Sequence, residues 1–404
     1  MVKAMTDKKR NVPNLRFRGF TETWEQRKFS DIAQRISTNI NINLPNVTYD
    51  DIDSENETLN KGIKNLSSGK KGILFQKNDI LFGKLRPYLN NIIKVDFKGI
   101  AVGDFWVLRA YEDSSFLFSL INTPQYKYIA NISSGSKMPR SDWNLVSKYL
   151  FCIPSEKEQS HIGNLILKLS QLITLNQRKL EQLKLIKKAL LQKMFADGKN
   201  SFPVIRFSGF TNAWEQRKLG DLGSLKNGMN FSKDKMGIGF PFVNLQDVFG
   251  KSIVTKQHLD KAQATDSQLR TYNLFKGDVL FVRSSVKLEG VGQAVVVPSD
   301  FINTTYSGFL IRFRDQTNLD NKFKSQIFKT RNIRTQIMSK ATDSANKNIN
   351  QSSLAKLKIV FPSKTEQEKI GKLLEDLDKV ITLHQRKLDQ LQKLKKSLLQ
   401  NMFI

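Results

Sequence analysis

"PSEKEQSHIGNLILKLSQLITLNQRKLEQLKLIKKALLQKMF", residues 154–195, returns as "PSKTEQEKIGKLLEDLDKVITLHQRKLDQLQKLKKSLLQNMF", residues 362–403, with 24 identities in 42 positions. Each copy reads as one long helix. Pro154 with Ser155 and Pro362 with Ser363 make good starts, and acidic residues fall in the first turn, where the helix dipole favours them. No Gly or Pro interrupts the run after Gly163 or after Gly371. About 40 residues at 1.5 Å each span roughly 60 Å, far beyond an ordinary globular helix, so a coiled coil is expected. One heptad position reads Ile162, Leu169, Asn176, Leu183 and Leu190 in the first copy, and Ile370, Leu377, His384, Leu391 and Leu398 in the second. The seam is apolar except at its middle, and Leu165/Ile166, Leu172/Ile173, Leu180 and Ile186 widen it. Antiparallel pairing over the full length would bring Asn176 opposite His384, a polar pair that fixes register at a cost in stability. The alternative has both facing solvent or a third helix.

A second repeat lies upstream of each helix. "PNLRFRGFTETWEQRKFSDIA" (Pro13 to Ala33) matches "PVIRFSGFTNAWEQRKLGDLG" (Pro203 to Gly223) at 12 of 21 positions. The head repeats at an offset of 190 and the helix at 208, so the segment between them is 18 residues longer in the second copy. The chain is therefore one duplicated unit rather than a solenoid, because the period is a whole domain. The middles, 34–150 and 224–358, diverge. "KNDILF" (Lys77 to Phe82) answers "KGDVLF" (Lys276 to Phe281), and "GDFWVLR" (Gly103 to Arg109) loosely answers "SGFLIRF" (Ser307 to Phe313). Short apolar runs such as "DILF", "GDVLFV", "QAVVVP" and "GFLIRF" predict strands. "SSFLFSLINTPQYKYIA" and "KFKSQIFKTRNIRTQIMSK" carry helical spacing. The expected fold is mixed α/β: two globular domains separated by two long helices that pair as an antiparallel coiled coil, related by a pseudo-twofold internal duplication. The expected boundaries are an N-terminal extension at 1–12, a first domain at 13–153, a long helix at 154–198, a second domain at 199–361 and a second long helix at 362–404.

Composition narrows the partners. A chain of 404 residues with 65 Lys+Arg against 37 Asp+Glu carries a net charge of +28, which favours nucleic acid over an anionic membrane surface. No apolar run approaches the length of a membrane span, and "MVKAMTDKKRNVPN" has no apolar centre, so no signal peptide is expected. A lone Cys152 permits no internal disulfide and suits a reducing cytoplasm. His161, His258 and His384 are too far apart in sequence to suggest a His/Cys metal site. No Asn/Asp-Pro-Pro-Tyr/Phe box for amino-group methylation, no Gly-x-x-x-x-Gly-Lys loop and no His-Glu-x-x-His occurs. A non-catalytic binding protein is expected.

Heads ending in "WEQRK", helices opening "PSxxEQxxIG", and "ITLxQRKLxQLxxLKKxLLQxMF" resemble the specificity (S) subunits of Type I restriction–modification enzymes over the whole chain. The resemblance implies that the divergent middles are target-recognition domains, each reading one half of a split sequence in double-stranded DNA. It implies that the helices form an antiparallel coiled coil that spaces those domains and docks two methyltransferase (M) subunits, with two restriction (R) subunits joining them. No cofactor is implied in this chain: S-adenosylmethionine belongs to M, and ATP and Mg²⁺ belong to R. It also implies that the next element after Phe403 is the head at Pro13, so the two ends of the chain should lie close together. The competing readings are a self-contained nuclease or methylase, and a basic coiled-coil adaptor that binds DNA without sequence preference.

Four loops are the candidate DNA contacts. Lys84, Arg86, Tyr88 and Asn90 follow a predicted strand, and Ser136, Lys137, Arg140 and Ser141 lie on a Gly-containing loop. Arg283, Ser284, Ser285 and Lys287, with Ser344, Asn346, Lys347, Asn348 and Asn350, hold matching places in the second copy. Arg and Lys suit guanine edges and Asn suits adenine edges, while most such contacts go to phosphate. Trp24 and Trp214 read as core packing, with base stacking the alternative. The run Arg178, Lys179, Lys184, Lys187, Lys188 and Lys193 reads as a solvated helix face, or as a surface near DNA or M.

Overall fold

A computed structural model describes residues 11–132, 138–198, 200–342 and 346–404. The chain divides into two compact units, 1–179 with 384–404, and 180–383. Each unit therefore combines one mixed α/β body with parts of both long helices, Glu156–Lys193 and Lys364–Asn401.

In the first unit, one four-stranded sheet has the order Ala33–Ile36, Phe105–Ala110, Ile80–Gly83, Ile92–Lys94. A second runs Asn39–Ile40, Gly72–Phe75, Gly99–Ala101, Asn46–Val47. The second unit repeats the first of these as Gly223–Asn227, Leu310–Asp315, Val279–Val282, Ala294–Val296. Its other sheet has three strands, Asp260–Ala262, Met236–Val243 and Thr305–Tyr306. Alternate residues of Val279–Val282 enter different cores: Val279 and Phe281 pack with Phe323 and Ile327, while Leu280 and Val282 pack with Val243 and Tyr306. A strand buried on both faces must be apolar throughout, and so "VLFV" does not alternate.

The ladders correct one expectation. In the first unit Ile80 lies opposite Leu108, and in the second Val279 lies opposite Phe313. The strand Phe105–Ala110 thus corresponds to Leu310–Asp315, one residue on from the loose sequence match of Gly103–Arg109 with Ser307–Phe313. A one-residue slip would turn every side chain to the wrong face. The corrected register aligns two bidentate ion pairs, Arg109 with Asp79 and Arg314 with Asp278, each bonded at 2.7 and 2.8 Å. A second correction concerns the helical stretches, each of which is two helices: Ser114–Ile121 with Pro124–Asn131, and Asn321–Ile327 with Arg331–Lys340. The Thr123 hydroxyl donates to the Leu120 carbonyl and the Thr330 hydroxyl to the Ile327 carbonyl, both at 2.7 Å. Each takes a backbone acceptor at the end of its helix, and Pro124 suits the first turn of the next.

The repeated head now has a structural account. Glu25–Lys28 pairs antiparallel with Leu150–Ile153, and Glu215–Lys218 with Lys358–Phe361, so each "EQRK" clamps the strand that leads into a long helix. Arg16 binds the buried Glu158 carboxylate through two hydrogen bonds of 2.7 Å, and Arg206 binds Glu366 at 2.7 and 2.8 Å. The Leu15 N–H donates to the Asn401 carbonyl and the Ile205 N–H to the Lys193 carbonyl, both at 2.8 Å. Trp24 meets Phe403 edge-on and Trp214 meets Phe195 edge-on; both indoles are buried, so neither reaches a base. Phe403 in turn stacks on Phe116, and Phe195 on Phe323. The first head and the end of the second long helix meet at the Leu15–Asn401 bond.

Gly163 and Gly371 let each long helix approach a shorter one. A Cβ at either would stand 2.4 Å from the Phe116 nitrogen or 2.6 Å from the Phe323 nitrogen. Along the helices, Ile162, Leu169, Asn176, Ile370 and Leu398 are buried, and Leu183, Leu190, Leu377, His384 and Leu391 are half-buried. Lys187 forms an ion pair with Asp378 in the second unit. Asn176 and His384 are both turned from solvent but share no hydrogen bond. The Asn176 amide donates to the Leu172 carbonyl at 2.8 Å, and His384 Nδ1 is buried without a partner among the described residues.

Candidate nucleic-acid interface

The first sheet delivers its candidate residues at one edge. Past Gly83 the strand continues as Lys84–Leu85–Arg86, and this extension pairs with the segment around Arg140. Leu85 bridges Arg140 antiparallel, the Arg86 N–H donates to the Pro139 carbonyl at 2.8 Å, and the Ser141 N–H donates to the Lys84 carbonyl at 2.9 Å. The two candidate loops of the first domain are thus one backbone-bonded element. The second domain builds the same element. Ser284 pairs with Asn348 and Ser285 with Lys347, and the Ile349 N–H donates to the Arg283 carbonyl at 2.9 Å.

A third segment joins each pair. The Lys84 N–H donates to the Asp104 carbonyl at 2.9 Å, and the Arg283 N–H donates to the Phe309 carbonyl at 2.8 Å. Asp104 and Phe309 were not singled out from the sequence. The signal was there in "GDFWVLR", but only the ladder register makes them equivalent. Asp104 holds Arg140 at 2.9 Å and Lys84 at 3.5 Å. Its carbonyl also accepts from the Tyr49 hydroxyl at 2.6 Å, and that hydroxyl accepts from the Leu85 N–H at 3.2 Å. Burial, with the Asp104 charge adding to it, pushes the Tyr49 phenol up to about 12, so it stays a neutral donor. Phe309, by contrast, is 56% exposed.

The remaining candidates divide by what their side chains already do. Arg86 is exposed, sits at φ +50°, and its guanidinium has no hydrogen bond or ion pair among the described residues. A non-glycine residue in the left-handed region is uncommon and marks a position to examine for function. Asn90 shares that conformation at φ +54°, and Tyr88 is more than half exposed. Ser141 is buried, with its hydroxyl donated to the Ala130 carbonyl at 2.7 Å. Asn350 caps the helix Gln351–Ala355 by accepting from the Ser353 N–H, as Asp142 caps Trp143–Lys148 in the first domain. Arg283 is half-buried, Lys287 is exposed, and Asn346 and Asn348 bond to each other through the Asn348 amide and the Asn346 carbonyl. Ser136, Lys137 and Ser344 lie outside the described residues. Among the described residues no three of His, Cys, Asp and Glu gather closely enough to hold a metal ion, and no helix is long and apolar enough to cross a membrane.

Comparison with known proteins places this arrangement. Residues 212–393 match the Type I restriction modification DNA specificity domain. Two solved structures share the fold over nearly the whole chain. The Type-I restriction-modification system S subunit from M. genitalium is 14% identical with a TM-score of 0.56, over 97% of this chain and 99% of that one. A chain from a structure of complex assembly and conformational transition in the type I R-M system is 17% identical with a TM-score of 0.51, over 93% and 96%. Residues 212–393 are thus similar to a DNA specificity domain, and the chain as a whole shares the fold of these two structures.

Proposed function

We propose that the chain is the DNA sequence-specificity subunit of a Type I restriction–modification complex, in which each domain reads one half of a bipartite target. The observation that carries this reading is the pair of equivalent edges: the same three backbone segments meet in each domain, yet the places of Lys84, Arg140 and Asp104 in one are taken by Arg283, Asn348 and Phe309 in the other. A shared frame with unlike side chains suits two half-sites of different sequence. The recognition domains are 13–153 and 199–361, and the helices 154–198 and 362–404 pair antiparallel as a coiled coil that sets the gap. The net charge of +28 supplies the sequence-independent attraction to DNA.

The helices also carry a docking face for two methyltransferase subunits. Leu172 and Ile186, which the heptad reading puts on the pairing seam, are exposed with Leu175 on the first helix, and Val380, Leu383 and Leu394, each 208 residues on, are exposed on the second. Large apolar side chains left in water at duplicated positions suit two copies of one partner. Restriction subunits join through that assembly.

The test is to express the chain with methyltransferase subunits and map methylated adenines across genomic DNA by single-molecule sequencing. Two short specified halves around an unspecified gap are expected. A continuous motif, or none from a well-folded complex, would favour a basic adaptor without sequence preference.

A further inference from the structure

The Asp104 carboxylate stands where a DNA-binding edge should avoid negative charge. Its neighbours Lys84 and Arg140 attract phosphate, but Asp104 repels it. On DNA the major-groove groups able to satisfy a carboxylate are the amino groups of cytosine and adenine. Asp104 is held in place by backbone geometry: its carbonyl takes the Lys84 N–H and the Tyr49 hydroxyl, and Gly103 before it turns the chain at φ +107°. The carboxylate keeps 29% of its side-chain surface in solvent, and Arg140 keeps 59%.

The Arg140 guanidinium donates one N–H to Asp104 at 2.9 Å. It has five such donors in a rigid fork, and the carboxylate has acceptor sites to spare. The pair therefore presents two free donors beside a free acceptor along one edge. A G·C pair shows the complement in the major groove: acceptors at guanine N7 and O6, then a donor at cytosine N4. An A·T pair shows an acceptor, a donor and another acceptor, and leaves one partner of the Arg–Asp pair facing its own kind.

We infer that Arg140 and Asp104 act together to read a single G·C pair in the half-site of the first domain, Arg140 on guanine and Asp104 on cytosine. The inference rests on the recognition function proposed above. The second domain has no counterpart, since Asn348 and Phe309 occupy the equivalent places, so only one half of the target carries this requirement. Lys84, the other cation on Asp104, is free to turn to a phosphate once the base amino group takes its place.

The experiment uses the complex of the full chain with its methyltransferase subunits and a duplex library randomised across both halves of the mapped motif. Wild-type complex is expected to require G·C at one position of one half. Asp104→Asn and Arg140→Ala should each lower discrimination at that one position about tenfold or more, with every position of the other half unchanged. The intact half shows that the variant is folded; if Asp104→Asn does not assemble, Arg140→Lys, which keeps the charge but loses the fork, carries the same test. Lys84→Ala should instead weaken binding to all sequences alike and make it less sensitive to salt. A motif with no G·C requirement, unchanged discrimination in Asp104→Asn, or a uniform loss across all positions would overturn the inference. Absence of any split motif in the wild type would instead count against the proposed function.

Discussion

The two edges proposed to read DNA share a backbone and differ in charge. In the first domain, a carboxylate at the centre of the edge holds two cations in place. In the second, the equivalent centre is the exposed ring of Phe309, beside Arg283 and Ser284. Behind these edges the domains share their braces: equivalent ion pairs, Arg109–Asp79 and Arg314–Asp278, hold equivalent strands, and equivalent head residues, Arg16 and Arg206, grip the start of each long helix. The edges proposed to read DNA thus differ in their side chains, while the contacts that hold the helices are alike. That division is what a duplicated reader requires, because the halves can change their target only if the frame does not.

The frame should be the more costly part to disturb. Glu158→Ala strands Arg16 beside a buried site, and loss of one partner of a buried ion pair costs about 3–5 kcal/mol. Glu366→Ala should do the same to the second unit through Arg206. Thermal unfolding followed by hydrogen exchange should show each substitution loosening its own unit first. Equal loosening of both units by either one would contradict the division.

Lys329 offers a sharper contrast. It occupies the place that a neutral Asn122 holds in the first domain, donates to the Ser252 hydroxyl, and is lowered to about 8, first by burial and then by Lys187, with Asp378 opposing. The unfolded chain keeps that proton to about 10.5. It therefore binds more protons than the folded chain between those values, so the second unit gains stability as pH rises through that window and gains nothing from this group below it. Lys329→Met should remove that rise and stabilise the second unit at neutral pH by roughly 3 kcal/mol at most. A wild-type and a Lys329→Met stability profile of the same slope from pH 8 to 10 would show that the ammonium is not penalised.

The smallest expected effect lies on the second edge. An exposed ring suits contact with a thymine methyl group. Phe309→Ala should cost about 1 kcal/mol, or roughly fivefold, at a single T·A position of one half. A selection experiment that shows no change at any position would leave Phe309 without a part in reading.

Much of this frame was legible in the sequence because it was written twice. The repeated "WEQRK", "PSxxEQ" and "IG" announced positions with fixed duties, and the structure supplies them: strand clamp, ion pair and close approach. The long helices were legible from length and heptads. The edges were harder. Arg140 and Lys84 stood out as cations, but Asp104 did not, since a carboxylate in a basic protein reads as background until its neighbours are known. The equivalence of Asp104 and Phe309 depended on a ladder register that differs by one residue from the best match of letters. Ser141 and Asn350 had the composition of DNA contacts, but an isolated residue type does not reveal that its hydroxyl or amide is already spent on backbone.

The most direct test of two independent readers on one frame is to replace residues 34–150 with 224–358 and map methylated adenines made by the complex. The chain would then present the second domain's edge on both heads. The account predicts a split motif whose halves are the same sequence in opposite orientation, with the gap unchanged. Persistence of the wild-type motif, or a continuous motif from a folded complex, would contradict it.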